Sequence, residues 1–259
     1  MEPRFSCTAC GKCCHGLLPL TLDDAIAHAH RFPLAMVWTT VRAGARSFDL
    51  ASRLGTTVRL PTRKTVAVQI APTAFLPPTF PCPALTADAL CGIHAEKPSR
   101  CRTMPFYPYR EERDQADLLV PRKGWRCDTS AAAPVVYRNH AIAERADFDR
   151  ERAALVEQAP VMRAYADYAQ KYMPWIADRL AAAAAKPAGG ILVTSLSSFL
   201  TATRRPDAAA LAAAQAPLFH DLAERTRDDP ALAEFHHNYS AWAKEMDSLV
   251  RRAAATPAP

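Results

Sequence analysis

The sequence predicts an α+β fold in two parts: a loop-rich, cysteine-bearing, metal-binding part with a small β hairpin or sheet over residues 1–140, then an α-helical part over 141–259 that ends in a disordered tail. Three observations carry this expectation. All eight cysteines, six of the eight glycines and the proline-broken stretches Phe75 to Pro83 and Pro98 to Pro108 precede residue 140. Alternation of apolar and polar residues, the strand signature, occurs within that part. Beyond it the chain is alanine-rich, with apolar residues recurring at steps of three and four, the helical signature.

In chain order, Thr21 is placed to cap a helix over Leu22 to Arg31, with Asp23 and Asp24 in the first turn where carboxylates complement the helix dipole. Pro33 ends it. Val58 and Leu60, then Val66, Val68 and Ile70, flank Pro61-Thr62-Arg63 as a hairpin, and Leu118 to Val120 reads as a further short strand. The stretches between are irregular. Loops of that length rarely stay ordered in a compact domain without crosslinks, and bound metal would supply them.

The C-terminal part carries two aromatic stripes. Val161, Tyr165, Tyr168, Tyr172 and Trp175 form one, with Pro174 kinking or ending its helix; Leu232, Phe235, Tyr239, Trp242, Met246 and Leu249 form the other in a last helix. Both read as core. His236 and His237 diverge by about 100° on a regular helix and read as surface residues. Residues 181–190, five alanines and then Lys186-Pro187-Ala188-Gly189-Gly190, read as a helix end and a linker, and Ala253 to Pro259 as the disordered tail.

Composition narrows the function classes. Eight cysteines in this length are too sparse for a small disulfide scaffold. The Cys7–Cys14 run stands where a secretory signal would place its apolar stretch. The expected location is the reducing cytoplasm, where grouped thiols serve metals or catalysis more often than disulfides. No run of eighteen apolar residues occurs, so no membrane association is expected. The formal charge of +6 is spread over scattered Lys and Arg, and eight metal-bound thiolates would cancel most of it, so no nucleic-acid partner is expected. The eight glycines never make G-x-G, and P-loop, HExxH and G-x-S-x-G motifs are missing from the sequence.

The cysteines fall into two groups. Cys7, Cys10, Cys13 and Cys14 form C-T-A-C-G-K-C-C; Cys82, Cys91, Cys101 and Cys127 form a looser set. Thiolates are soft ligands, and C-x-x-C lets two sulfurs meet one ion from a single turn. The C-x-x-C-x-x-C run also suits an iron–sulfur cluster, so zinc and an iron–sulfur cluster or iron both stand as the cofactor. Gly11 and Gly16 would let the backbone turn tightly and aim N–H groups at sulfur. Neighbouring side chains point apart, so Cys13 and Cys14 are expected to serve different metals, or one of them to bridge two. Eight sulfurs suffice for two four-sulfur sites, or for one multinuclear site with histidine or carboxylate ligands, and at least one metal is expected to draw on both groups.

Phe5-x-Cys7-x-x-Cys10-Gly11-x-Cys13-Cys14-x-Gly16, then Cys82-Pro83-x-Leu85, Cys91-x-Ile93 and Pro98-x-x-Cys101-Arg102-x-x-Pro105-Phe106, resembles the CxxCxxCC cysteine-cluster family, also described as YkgJ-like or as a putative zinc- or iron-chelating domain. The resemblance spans about residues 5–127. It implies metal ligands at Cys7, Cys10, Cys13, Cys14, Cys82, Cys91, Cys101 and Cys127. His94, Lys97 and Met104 depart from the tyrosine, arginine and phenylalanine common in the family. His15 and His94 lie close enough in sequence to enter a metal shell, and Arg100 and Arg102 to neutralise thiolate or hold an anionic substrate.

The function so implied is a soluble metalloprotein chelating zinc or an iron or iron–sulfur assembly through eight cysteines. A flagellin lysine N-methylase shares the cysteine pattern. It implies an alternative, an iron-dependent enzyme modifying a peptide or protein side chain by oxidation or by methyl or other group transfer, with His15, His94, Arg102, Tyr107 or Tyr109 near an open metal position.

Overall fold

The computed structural model describes residues 2–186 and 189–255. After the cysteine run come β1 (Leu18–Pro19) and α1 (Leu22–Ala27). Thr21 caps α1 as expected, its hydroxyl accepting the Asp24 N–H at 3.1 Å. The helix stops at Ala27, short of Arg31. Gln215, wholly buried, is the cause: its amide donates to the carbonyls of Ala29 and Phe32 and accepts the Leu34 N–H at 2.7 Å, drawing residues 28–33 out of the helical ladder.

β2 (Leu34–Arg42), α2 (Phe48–Leu54), β3 (Thr56–Arg59) and β4 (Thr65–Ala74) follow. The expected hairpin is β3–β4, with Val58 opposite Val66. β2 went unread in the sequence because it is buried along most of its length; a strand covered on both faces reads as a continuous apolar run, not an alternation. The sheet runs β1-β4-β2-β7 with β3 also on β4, and every pairing is antiparallel.

Residues 75–98 are irregular and lead to α3 (Ser99–Thr103). Leu118 to Val120 is not a strand. Ala116–Leu119 forms a 3₁₀ turn, because the buried Gln115 side chain closes residues 107–115 into a loop through the Tyr107 N–H and the Tyr107 and Arg110 carbonyls, at 2.9 to 3.0 Å. β5 (Tyr137–Arg138) and β6 (Ala141–Ile142) make a small second hairpin.

The C-terminal part comprises α4 (Ala146–Tyr172), α5 (Ile176–Ala185), β7 (Ile191–Ser195), α6 (Leu196–Thr203), α7 (Ala208–Thr226) and α8 (Ala233–Ala255). Pro174 follows the end of α4. The first stripe needs correction: Tyr165 is in the core, but Tyr172 and Trp175 are 58% and 45% exposed. The buried face of α4 is instead Leu155, Ala159, Met162, Tyr165, Ala166 and Ala169, whose small members carry little periodic signal. The α8 stripe holds, with Tyr239, Trp242 and Met246 buried. His237 is exposed and His236 half-buried, its Nδ1 on the Ala223 carbonyl at 2.9 Å. Residues 253–255 of the expected tail belong to α8, and 256–259 lie outside the described residues, as do Pro187 and Ala188 of the expected linker.

β7 was hidden in a stretch that otherwise reads as helix. It pairs with β2, and the main core is continuous from Leu20 to Met246 across the composition boundary near residue 140. Trp38 of β2 packs against Tyr165 of α4 with centroids 5.2 Å apart and donates its indole N–H to Thr194 of β7 at 3.0 Å. The fold is α+β. No helix among the described residues is long and apolar enough to cross a membrane.

Candidate metal centre

Two backbone seams bring the cysteines together. The first runs along residues 3–8: Ser6 and Asp128 exchange N–H···O bonds at 2.8 and 2.9 Å, Phe5 donates to the Pro134 carbonyl, and the Thr8 hydroxyl donates to the Arg126 carbonyl at 2.8 Å. Cys7 is thereby set beside Cys127. The second seam joins residues 14–16 to 80–82, through the Cys82 N–H on the Cys14 carbonyl at 2.8 Å and the Gly16 N–H on the Phe80 carbonyl at 3.2 Å.

Between the seams the chain reverses at Gly11, whose φ of +70° closes the bond from the Cys14 N–H to the Gly11 carbonyl at 3.0 Å. Gly16, at φ +74°, passes so close to Pro78 that a Cβ would stand 3.3 Å from its Cα. Both glycines do what their place in the sequence implies for the turn. N–H groups directed at sulfur come from Lys12 in the Gly11 turn and from Arg126, both on Cys10, and from Ala9 on Cys7 and Ala84 on Cys82, the last two at 3.4 Å. A tight return from Cys82 through Leu85 and Leu90 sets Cys91 opposite Leu85, and α3 supplies Cys101.

Electrostatic coupling resolves the sulfurs into two neighbouring sets. Cys14 is pushed up by its hydrogen bond with Cys13, then by burial, and also by the charges of Cys82 and Cys101. Burial raises Cys82, which is also coupled to Cys91. Burial pushes Cys101 up to about 12, with Cys82, Cys91 and Cys13 adding to it. On the other side, burial raises Cys127, which is coupled to Cys10, Cys7 and Cys13. The Arg126 and Lys12 N–H groups hold Cys10 below the ordinary thiol range. The couplings thus link Cys14, Cys82, Cys91 and Cys101 on one side and Cys7, Cys10 and Cys127 on the other, with Cys13 coupled to both.

Cys13 stands at the junction. The Cys13 and Cys14 sulfurs are 4.0 Å apart, so these neighbouring side chains do not point away from each other as expected. The Gly11 turn brings them round. The hydrogen bond with Cys14 lowers Cys13 to about 6, with Lys97 contributing positive charge.

All eight thiols are free, with no disulfide among them. The chemistry of the donor set therefore fits zinc or iron. Among the described residues, no three His, Cys, Asp or Glu side chains are yet disposed so that they could hold one ion together, so the sets are gathered but not closed.

Residues 6–123 match the CxxCxxCC family model, described as a putative zinc- or iron-chelating domain. That segment is similar to a CxxCxxCC domain. Cys127 lies beyond the matched segment, although the structure couples it to Cys7 and Cys10. No curated protein and no solved structure matches the chain.

Around the CxxCxxCC cysteines, the other sequence candidates take mostly structural places. His15 sets Nδ1 against the Gly11 carbonyl at 3.2 Å, and His94 is exposed at the head of a 3₁₀ turn. Arg102 donates to the Lys97 and Ala95 carbonyls at 3.0 and 2.7 Å, binding the Cys91–Cys101 loop to itself. Arg100 is buried against Glu151 of α4 at 3.6 Å and stacks over Tyr107; Tyr109 is buried in a small apolar cluster with Leu50, Leu54 and Leu155. Sequence reasoning missed Arg31, whose charge acts on Cys82, and Glu151. No local spacing marks either, because each meets the site through long-range packing.

Proposed function

We propose that this chain is a metalloprotein whose eight cysteines chelate zinc or iron, as separate ions or as an iron–sulfur assembly, in two adjoining sites. Cys14, Cys82, Cys91 and Cys101 serve one; Cys7, Cys10, Cys13 and Cys127 serve the other, with Cys13 and Cys14 side by side at their junction. The observation that carries this reading is the pair of backbone seams, which bring Cys7 to Cys127 and Cys14 to Cys82, joining the two cysteine groups at two points while all eight thiols stay free. Binding draws each set closed. Structural sites of this type contribute on the order of 10–16 kcal/mol of apparent binding free energy, enough to order the irregular segments between cysteines. A reducing compartment such as the cytosol keeps the thiols available.

The test is elemental analysis of the purified protein together with its anaerobic visible spectrum. Zinc without colour, or iron with broad visible absorption, is the expected result, and it names the metal. Protein that is metal-free after expression in zinc- and iron-supplemented medium, or Cys10→Ser and Cys101→Ser variants that both keep their full metal content, would end the proposal.

A further inference from the structure

Beside the sulfur sets, α1 and the loop from Ile93 to Arg102 enclose a cleft of about 500 Å³. Its cations are Arg31, Lys97, Arg102 and Arg150; its carboxylates are Asp24 and Glu96. Most of these groups are already engaged. Asp24 accepts from the Thr21 hydroxyl at 2.8 Å and the Ser99 N–H at 2.9 Å, Arg150 pairs with Asp147 at 2.8 Å, and two of the Arg102 nitrogens hold backbone carbonyls. His28 is likewise taken by the Glu96 carbonyl at 3.0 Å.

Of the cations, Arg31 and Lys97 remain, and of the carboxylates Glu96. Neither cation makes an ion pair among the described residues, and the Arg31 Nε is buried with no hydrogen-bond partner. A buried guanidinium N–H facing a cleft without an acceptor is unusual in folded proteins, where such donors are nearly all satisfied. An oxyanion satisfies it with charge-assisted bonds, and Lys97 adds a second positive charge. The cleft volume falls in the usual range for small-molecule sites, roughly 300–1,000 Å³.

We propose that this cleft binds a small-molecule oxyanion, a phosphate or a carboxylate, held by Arg31 and Lys97. The inference does not depend on the cysteines holding metal. The competing role for the same two cations is neutralising the thiolates, since Arg31 acts on Cys82 and Lys97 on Cys13.

Calorimetric titration of the full chain with inorganic phosphate and, separately, with succinate decides between them. Both are weak chelators, and metal content assayed before and after keeps any effect on the cysteine sites apart. Saturable 1:1 binding of one of the two is expected and identifies which oxyanion class the cleft takes. Arg31→Gln and Lys97→Gln should each weaken it roughly tenfold, while Lys64→Gln, which removes the same charge from the exposed β3–β4 turn, should leave it unchanged. Far-UV circular dichroism checks each fold; should Arg31→Gln not fold, Lys97→Gln carries the test. No saturable binding of either anion, or equal weakening by Lys64→Gln and Lys97→Gln, overturns the proposal.

Discussion

The Cys82 N–H donates to the Cys14 carbonyl at 2.8 Å, and through this bond the second cysteine group is laid along the first. Its counterpart is the Ser6–Asp128 exchange, which does the same for Cys7 and Cys127. Gly11 folds the chain between them, so one short segment serves two distant loops. The meeting of cysteines from distant stretches follows from that stitching, not from their order.

If the sulfurs work as two sets, the substitutions should sort accordingly. Cys91→Ser and Cys7→Ser are each expected to remove about half of the bound metal, and the double variant all of it. Cys13→Ser, at the junction of the sets, should remove more than half. Metal-to-protein ratios read this directly; equal and complete loss from every single substitution would indicate one undivided site.

Metal removal should loosen one region and spare the other. Residues 75–98 and 120–136 have little regular structure, whereas the buried members of the main core include no cysteine, Cys82 packing only at its edge. Chelation is therefore expected to admit protease within those two segments while most of the helical dichroism remains. Mass spectrometry of the first cleavage products locates the cuts.

Arg100 and Glu151 are each about 5% exposed and lie 3.6 Å apart. Burial lowers the Arg100 pKa and raises that of Glu151, against their mutual attraction, which marks the pair as costly to desolvate. Glu151→Ala strands a buried guanidinium and should destabilise the fold by about 3–5 kcal/mol in denaturant unfolding. The paired change Arg100→Met with Glu151→Leu should recover most of that loss.

Gly55 has no room for a side chain: a Cβ there would stand 2.1 Å from the Val68 carbonyl oxygen of β4. Backbone cannot yield as a flexible side chain does. Gly55→Ala should therefore cost about 1–3 kcal/mol, read as a lower denaturant midpoint with an unchanged slope.

Burial raises the phenols of Tyr109, Tyr165 and Tyr239 above the ordinary tyrosine value. A raised folded-state value means the unfolded chain releases its protons first, so their contribution to stability is intact below about pH 10 and declines as pH rises beyond it. Alkaline titration should show tyrosinate absorbance from these rings appearing together with loss of ellipticity. Their full ionisation in a chain that is still folded would contradict the burial.

By itself, the order of residues determined whatever depends on near neighbours: the Thr21 cap, the β3–β4 hairpin, the α8 stripe, the turn at Gly11 and eight candidate sulfur donors. A capping bond, a two-strand turn or a C-x-x-C pair closes over a few residues, so composition and spacing suffice to read it. Tertiary structure decided what depends on partners far along the chain. Burial on both faces erased the alternation of β2, pairing with β2 made a strand of residues 191–195, and Gln215 cut α1 short. Small alanines, not Tyr172 and Trp175, took the buried face of α4. The meeting of Cys7 with Cys127 and of Cys14 with Cys82 was decided in the same way, because the seams that join them are hydrogen bonds between segments far apart in the chain, and such contacts leave no period in the sequence.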